Sequence, residues 1–214
     1  MTHIAVIDYD MGNLHSACKG LEKAGATTVV SDRVADWQRA DGVVLPGVGA
    51  FDPAMQHLKA RDLIGPIRDI VATGKPFLGI CVGLQVLFDG SEEGQEDGLG
   101  IIPGMIRRFQ IEPGLTIPHM GWNQLTLTQP NLPLWHNINT NDWVYFVHSF
   151  YPEPTDPETT AATVTHGSQT VTAAVAKGNV MAVQFHPEKS STVGLQILSN
   201  FVSVIQQNLP ALSH

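Results

Sequence analysis

Residues 76–88 read Pro76-Phe-Leu-Gly-Ile-Cys-Val-Gly-Leu-Gln-Val-Leu-Phe88. The first half of this apolar run predicts a buried strand that ends at Cys81, and the second half predicts a helix that begins just after it. Gly79 and Gly83 flank the cysteine in the spacing of a nucleophile elbow, and a side chain at either position would crowd the turn. The positive end of the helix dipole beneath the sulfur favours the thiolate. The stretch therefore predicts a sulfur nucleophile on a sharp strand-to-helix turn.

The first half of the chain alternates strand-length apolar runs with helical patterns. Strands are predicted at 3–8, 27–30, 42–45 and 76–80, and helices at 14–21, 53–59 and 64–73. Strands separated by helices imply a parallel sheet that is covered by helices on both faces. We therefore expect an α/β fold, with residues 1–214 in a single three-layer domain around a central, mostly parallel sheet.

The second half of the chain is richer in proline and glycine and loses the helical period. Short strands are predicted at 106–111, 143–147, 162–165 and 170–174, a dense apolar strand at 180–185, and a C-terminal helix around 198–205. The short runs have the composition of antiparallel strands. We therefore expect an additional, partly antiparallel β region beside the main sheet.

Composition argues against several classes of function. The net charge is −8, from 12 Lys and Arg against 20 Asp and Glu, which disfavours nucleic acid as a partner. No stretch approaches the about 18 apolar residues of a membrane helix, and the N-terminus lacks the features of a signal peptide, so we expect no membrane partner. The two cysteines, Cys18 and Cys81, form no disulfide framework, which indicates a reducing compartment such as the cytoplasm.

Known metal and phosphate motifs are missing from the sequence. There is no Cys-x-x-Cys pair, no His-x-x-x-His and no Gly-x-x-x-x-Gly-Lys loop. We therefore expect no metal site and no cofactor.

A base for the cysteine has to come from the nine histidines of the chain. His186 ends the strand at 180–185, and active-site groups in open α/β sheets gather at the carboxyl ends of strands, where Cys81 is also expected. Glu188 lies two residues further, so in extended chain its side chain points the same way as the imidazole. The pattern predicts a nucleophile, a base and an orienting carboxylate in Cys81, His186 and Glu188.

Each of these parts also has an ordinary structural interpretation. A lone buried cysteine usually serves packing, which is how we interpret Cys18. His-Pro-Glu by itself is usually a surface turn, and the glycines at 46–49 are usually a turn as well. After a strand, however, such glycines let N–H groups turn inward to hold an oxyanion. The elbow and the strand-terminal His-x-Glu occurring together favour catalysis.

Three motifs together resemble those of the class I glutamine amidotransferases. They are Gly79-Ile-Cys-Val-Gly-Leu-Gln85, Pro46-Gly-Val-Gly49 and Phe185-His-Pro-Glu-Lys189. Three further segments resemble the branch of that family that serves histidine biosynthesis: Asp8-Tyr-Asp-Met-Gly-Asn-Leu14, Pro118-His-Met-Gly-Trp-Asn123 and Tyr145-Phe-Val-His-Ser-Phe-Tyr151. The resemblance extends from Ile4 to Phe201.

The resemblance implies a glutaminase that releases glutamate and ammonia through a thioester on Cys81. His186, held by Glu188, would move the proton to the leaving ammonia. The resemblance also implies an oxyanion site at Gly47 and Val48, and three elements that bind the rest of glutamine. These are Gln85, Glu93 for the α-ammonium, and backbone groups near Ser149 and Phe150 for the α-carboxylate.

A partner subunit follows from the same resemblance. In that branch of the family the ammonia passes into a (β/α)₈ barrel cyclase, which makes imidazole glycerol phosphate and an aminoimidazole carboxamide ribotide. Ammonia that escapes to neutral water is mostly protonated and cannot attack, which explains the need for a tunnel. The expected interface residues of this heterodimer are Met11, Asn13, His119, Met120, Trp122, Asn123, Tyr145 and Lys189.

Three other assignments remain open at this point. The first is the amidotransferase of another pathway, such as anthranilate or GMP synthesis, whose members carry other sequences at 8–14 and 118–123. The second is a stand-alone cysteine hydrolase of small esters. Such α/β-hydrolases place the acid before the histidine, whereas Glu188 follows His186. The third is a non-catalytic binding subunit that keeps the elbow for packing.

Overall fold

A central sheet organises residues 1–208, which are the residues described by this computed structural model. Within them the strands are β1 (Thr2–Ile7), β2 (Ala26–Ser31), β3 (Gly42–Gly47), β4 (Phe77–Cys81), β5 (Gly90–Ser91), β6 (Gly104–Arg108), β7 (His119–Gln124), β8 (Thr126–Leu127), β9 (Trp143–His148), β10 (Phe150–Pro154), β11 (Thr160–His166), β12 (Gln169–Lys177) and β13 (Val180–Val183). The α-helices are α1 (Leu14–Lys23), α2 (Val34–Arg39), α3 (Phe51–Ala60), α4 (Ile64–Ala72), α5 (Val82–Gln85) and α6 (Ser191–Asn208). Short 3₁₀ turns cover Pro133–Trp135, Pro157–Thr159 and Pro187–Lys189.

The central sheet has eight strands in the order β2-β1-β3-β4-β13-β12-β11-β8. Neighbours from β2 to β13 run parallel, and β12, β11 and β8 extend one edge in antiparallel fashion. Helices α1 to α4 lie in the crossovers between the first four strands, as parallel neighbours require. The predicted α/β fold with a mostly parallel sheet and an added antiparallel region is confirmed.

The sequences of the inner strands reflect their position in the middle of the sheet. β3, β4 and β13 are buried along their whole length, so they are nearly continuous apolar runs rather than alternating ones. Helix α1 buries one face, which includes Cys18, and Asn13 caps its N-terminus by accepting the Ser16 N–H at 3.4 Å. Within residues 1–208, no helix combines the length and the apolar character needed to span a bilayer.

Two small sheets lie beside the central one, in the orders β10-β6-β5 and β7-β9. Sequence patterns predicted parts of β6 and β9 but not β7 or β10. The sequence of β7, His-Met-Gly-Trp-Asn-Gln, mixes glycine with polar and aromatic residues, so no apolar alternation marks it. β7 is specified by its pairing with β9, in which His119 lies opposite His148 and Gln124 opposite Trp143.

Two helices differ from the sequence pattern. The helix after the elbow ends at Gln85, whereas the apolar pattern continues to Phe88. The N–H groups of Leu87 and Phe88 donate to carbonyls three residues back, at 3.2 and 3.1 Å, so the chain tightens after one turn. Helix α2 was not predicted, because its six residues bury a single side chain, Trp37, and leave no helical period to detect.

Candidate active site

Cys81 occupies the turn between β4 and α5. Its backbone has φ 55° and ψ −113°, a region that residues with a side chain rarely adopt. Such a conformation costs about 1–3 kcal/mol and persists where the surroundings enforce it, commonly at functional sites. The side chain is 5% exposed, at the end of the sheet where β4 stops. The elbow that the sequence predicts is therefore present.

Three glycines leave the space that this turn needs. A Cβ on Gly83 would lie 1.9 Å from the carbonyl oxygen of Leu45, and one on Gly79 would lie 2.8 Å from the carbonyl oxygen of Gly83. Gly47 pairs with Cys81 across β3 and β4, and a Cβ there would lie 2.6 Å from the Gly83 nitrogen. The two strands and the first turn of α5 can approach each other this closely because these three positions are glycines.

His186 follows β13, which runs parallel to β4 and pairs Val183 with Ile80. This register brings the imidazole beside Cys81, close enough for the sulfur to raise the pKa of the ring. On the other side, His186 Nδ1 lies 2.8 Å from Glu188 Oε1, and the two side chains are 2% and 4% exposed. The structure therefore brings the three residues of the predicted triad together in one buried arrangement.

The charge state of His186 follows from its neighbours. Burial lowers its pKa, but the hydrogen bonds and charge interactions with Cys81 and Glu188 outweigh burial and raise the pKa to about 9. The second oxygen of Glu188, Oε2, has no hydrogen-bond partner among the described residues. The negative charge of this buried carboxylate is therefore balanced mainly by His186. A protonated imidazole in this position stabilises an adjacent thiolate and holds a proton for a leaving group.

Gln184 is a further residue at the nucleophile and lies outside the predicted site. Its amide nitrogen lies 3.8 Å from the Cys81 sulfur as a donor, and its amide oxygen accepts from Gln85 Nε2 at 3.0 Å. The side chain is fully buried. The signal that marks it is a polar residue in the otherwise apolar run at 180–185, because a buried amide needs partners for both of its ends.

A cavity of ≈ 190 Å³ opens beside the nucleophile and is lined by Gly49, Cys81, Val82, Gln85, Glu93, Pro118, Val147, His148, Ser149 and Phe150. Four of the predicted glutamine-binding residues, Gln85, Glu93, Ser149 and Phe150, are therefore in its wall. Gly47 lies opposite Cys81, whereas Val48 is 37% exposed and Gly49 takes its place in the lining. A larger cavity of ≈ 390 Å³ lies beyond Glu188 and contains neither Cys81 nor His186.

Hydrogen bonds fix the wall of the smaller cavity. Gln85 Nε2 donates to the Phe150 carbonyl at 3.3 Å, and the Phe109 N–H donates to the Ser149 carbonyl at 3.1 Å. Elsewhere in the lining, Glu93 Oε2 accepts the Phe51 N–H at 2.8 Å, at the N-terminus of α3. The cavity thus has one wall of oriented peptide groups and one wall with a carboxylate.

The predicted interface residues separate into exposed, half-buried and buried sets. Met120 and Trp122 are 63% and 49% exposed, and Lys189 is exposed as well, whereas Met11, Asn13, Asn123 and Tyr145 are half-buried. His119 is 4% exposed and points inward, because alternate residues of a strand face opposite sides. The His119 side chain therefore contacts other side chains of this chain and does not lie on the surface that exposes Met120.

No group of three or more His, Cys, Asp or Glu side chains within residues 1–208 is arranged to bind a metal ion.

Known proteins resemble the chain in sequence and in fold. Residues 5–205 match the family described as "Glutamine amidotransferase class-I". The chain is 70% identical over 209 residues to "Imidazole glycerol phosphate synthase subunit HisH" of Acaryochloris marina, covering 98% of each chain. It is 71% identical over 206 residues to the protein of that name from Cyanothece sp. (strain PCC 7425), covering 96% of this chain and 98% of the relative. In fold it is similar to "Structure of PurLQS from Thermotoga maritima", with a TM-score of 0.70 and 22% identity over 98% of this chain and 99% of the other.

Proposed function

Because this chain belongs to the class I glutamine amidotransferases, we propose that it is the glutaminase subunit of an imidazole glycerol phosphate synthase in histidine biosynthesis. The observation that carries the activity is Cys81 on its strained turn, beside His186, which is in turn hydrogen-bonded to Glu188. The choice of branch is supported by relatives of that name that match nearly the whole chain.

The first chemical step joins the sulfur of Cys81 to the side-chain amide of glutamine. The thiolate attacks the amide carbon, a C–S bond forms, and the carbonyl electrons move to the oxygen. Backbone N–H groups stabilise that oxyanion, one from the residue after Cys81 and others from Gly47 and Val48. Gln184 donates to the sulfur before the attack and so helps to hold the thiolate.

In the second step the amide bond breaks. Protonated His186 gives its proton to the amide nitrogen, the C–N bond breaks, and ammonia leaves a glutamyl thioester on Cys81. Water then attacks the thioester while neutral His186 accepts a proton, so that glutamate leaves and the thiolate returns. Glu188 keeps the imidazole in one orientation and stabilises its charged form throughout.

The cavity beside Cys81 holds the amino acid part of glutamine in this proposal. The peptide groups of Ser149 and Phe150 receive the α-carboxylate, and Glu93 pairs with the α-ammonium. Gln85 supports the wall of peptide groups, because it donates to the Phe150 carbonyl. These assignments are supported by the presence of all four residues in the cavity lining.

The partner in this proposal is a cyclase with a (β/α)₈ barrel that receives the ammonia within a heterodimer. Exposed Met120 and Trp122 suit the core of an interface, because they lie two residues apart on the same face of β7 and aromatic residues and methionine are enriched in interface cores. Lys189 and the half-buried Met11, Asn13 and Tyr145 complete the docking surface, whereas Asn123 faces the same side of β7 as His119 and bonds to it. We place this heterodimer, a lyase, in the cytoplasm. Both cysteines of the chain are free thiols, as a reducing compartment maintains them.

The decisive experiment is copurification with a barrel-type cyclase, followed by a glutamate-release assay with and without the cyclase nucleotide. We expect low release by the chain alone and a rise when cyclase and nucleotide bind. The variant Cys81→Ala should abolish glutamate release yet keep the fold, the copurification and the cyclase reaction with added ammonia. Full glutaminase activity in Cys81→Ala would refute the assignment, and rapid hydrolysis by the isolated chain that the partner does not change would refute the coupling.

A further inference from the structure

Two buried histidines lie at the cavity, His148 in its lining and His119 next to it, and take no part in the chemistry described above. His119 on β7 and His148 on β9 are 4% and 6% exposed. His119 Nδ1 and His148 Nε2 are 3.0 Å apart, which is hydrogen-bond distance for two ring nitrogens. This hydrogen bond fixes the orientation of each ring relative to the other.

The direction of every hydrogen bond in this pair follows from its far end. The Phe150 carbonyl can only accept, so His148 Nδ1, 2.9 Å away, must carry a proton. In a neutral ring the other nitrogen, Nε2, is then an acceptor, so His119 Nδ1 donates to it. His119 Nε2 is an acceptor in turn, and Asn123 Nδ2 donates to it at 3.1 Å. One tautomer of each histidine satisfies the whole chain of contacts.

Both rings are neutral around pH 7, as this scheme requires. Burial and the neighbouring His166 lower the pKa of His119 to about 4. Burial, together with the charges of nearby histidines that include His186, outweighs the hydrogen bond to Phe150 and lowers the pKa of His148 to about 3. Aromatic packing restrains the rings as well, since His119 stacks on Phe146 with centroids 4.8 Å apart.

The relay ends at the turn that lines the cavity. The Phe150 carbonyl accepts from His148 on one side and from Gln85 on the other, which occupies both of its lone pairs. The preceding carbonyl, that of Ser149, is held by the Phe109 N–H. With both carbonyls fixed in this way, the peptide planes of the turn cannot rotate without the loss of a buried hydrogen bond.

We propose that Asn123, His119 and His148 are positioning residues that hold the Ser149–Phe150 turn in the orientation that receives the α-carboxylate of glutamine. This proposal rests on the proposed function, because glutamine is the ligand of that turn. The relay does not touch the reacting atoms, so its loss weakens substrate binding more than it slows the chemical steps.

A matched pair of variants at one position tests the direction of the relay. His119→Asn keeps a donor near the place of Nδ1, whereas His119→Gln places its polar group near Nε2 and loses the donor to His148. Measured in the complex with cyclase and nucleotide, His119→Gln should raise the KM for glutamine about tenfold and leave kcat within about twofold. His119→Asn should stay within about threefold of wild type in both constants.

The same pair at position 148 gives an independent reading, because His148→Asn keeps the donor to the Phe150 carbonyl and His148→Gln does not. Copurification of each variant with the cyclase serves as the control for folding and docking. If a Gln variant fails to fold, Asn123→Ala at the half-buried end of the relay replaces it, with an expected rise in KM of about threefold.

Equal KM values for the Asn and Gln variants at both positions, or an unchanged KM in Asn123→Ala, would overturn the relay. A wild-type complex that releases no glutamate would instead contradict the proposed function.

Discussion

His186 and His148 are both almost completely buried, yet their protonation is opposite. Burial lowers the pKa of each ring, but Cys81 and Glu188 raise that of His186 to about 9, whereas His148 falls to about 3. The partners of His186 carry or develop negative charge, and those of His148 are a carbonyl and a neutral imidazole. The hydrogen-bond partners therefore decide whether a buried imidazole moves protons or serves as a fixed link.

The largest effect is expected when Glu188→Gln removes the carboxylate charge beside His186. The amide keeps the shape of the carboxylate but removes its charge, so the pKa of His186 falls and its orientation is no longer specified. We expect kcat for glutamate release to fall about 10⁴-fold, as when the acid of a comparable triad becomes an amide. Copurification of the variant with the cyclase is the control for its fold. A loss of less than tenfold would show that His186 does not depend on Glu188.

A smaller effect is expected when His148→Asn removes the titratable ring of His148 but keeps a donor to the Phe150 carbonyl. The pKa of His148 is about 3 in the folded chain against 6.5 for an ordinary histidine, so folding excludes a proton. Its contribution to stability is present above pH 6.5 and is lost as the pH falls toward 3, with a slope of about 1.4 kcal/mol per pH unit. Urea unfolding of both proteins at several acidic pH values should show a shallower decline in the variant. Parallel curves would contradict the shift.

The smallest effect is expected from a change at Cys18, which extends the comparison to the two cysteines. Cys18 is 8% exposed on α1, and burial raises the pKa of its thiol. Cys18→Ala should leave glutaminase activity within about twofold and lower the free energy of unfolding by about 1 kcal/mol. A glutamine-like electrophile should still label Cys81, as mass spectrometry can verify. A tenfold loss of activity would give Cys18 a role that its place in the helix core does not suggest.

The sequence predicts those features that depend on neighbours along the chain. The elbow is encoded locally, because the spacing of Gly79 and Gly83 around Cys81 states where side chains cannot fit. The parallel sheet is encoded by the alternation of apolar runs with helical patterns. His186 and Glu188 are found because the end of a strand and a two-residue spacing are both visible in the sequence.

The features that the sequence does not predict depend on contacts between distant segments. The relay joins His119 to His148, 29 residues apart, and exists only because β7 pairs with β9. His119 accordingly reads as part of an interface motif, whereas its side chain faces the interior. Gln184 escapes notice for a similar reason, since its partner Gln85 lies 99 residues away. Helix α2 is too short to carry a period.

The backbone of Cys81 has a consequence for how this chain can be modified. With φ at 55°, the position suits glycine, which has no thiol and would relieve local strain of about 1–3 kcal/mol. A screen that rewards heat resistance alone would therefore favour a glycine at position 81 and return a sturdier but inert protein. Engineering of this scaffold has to select for turnover and melting temperature together.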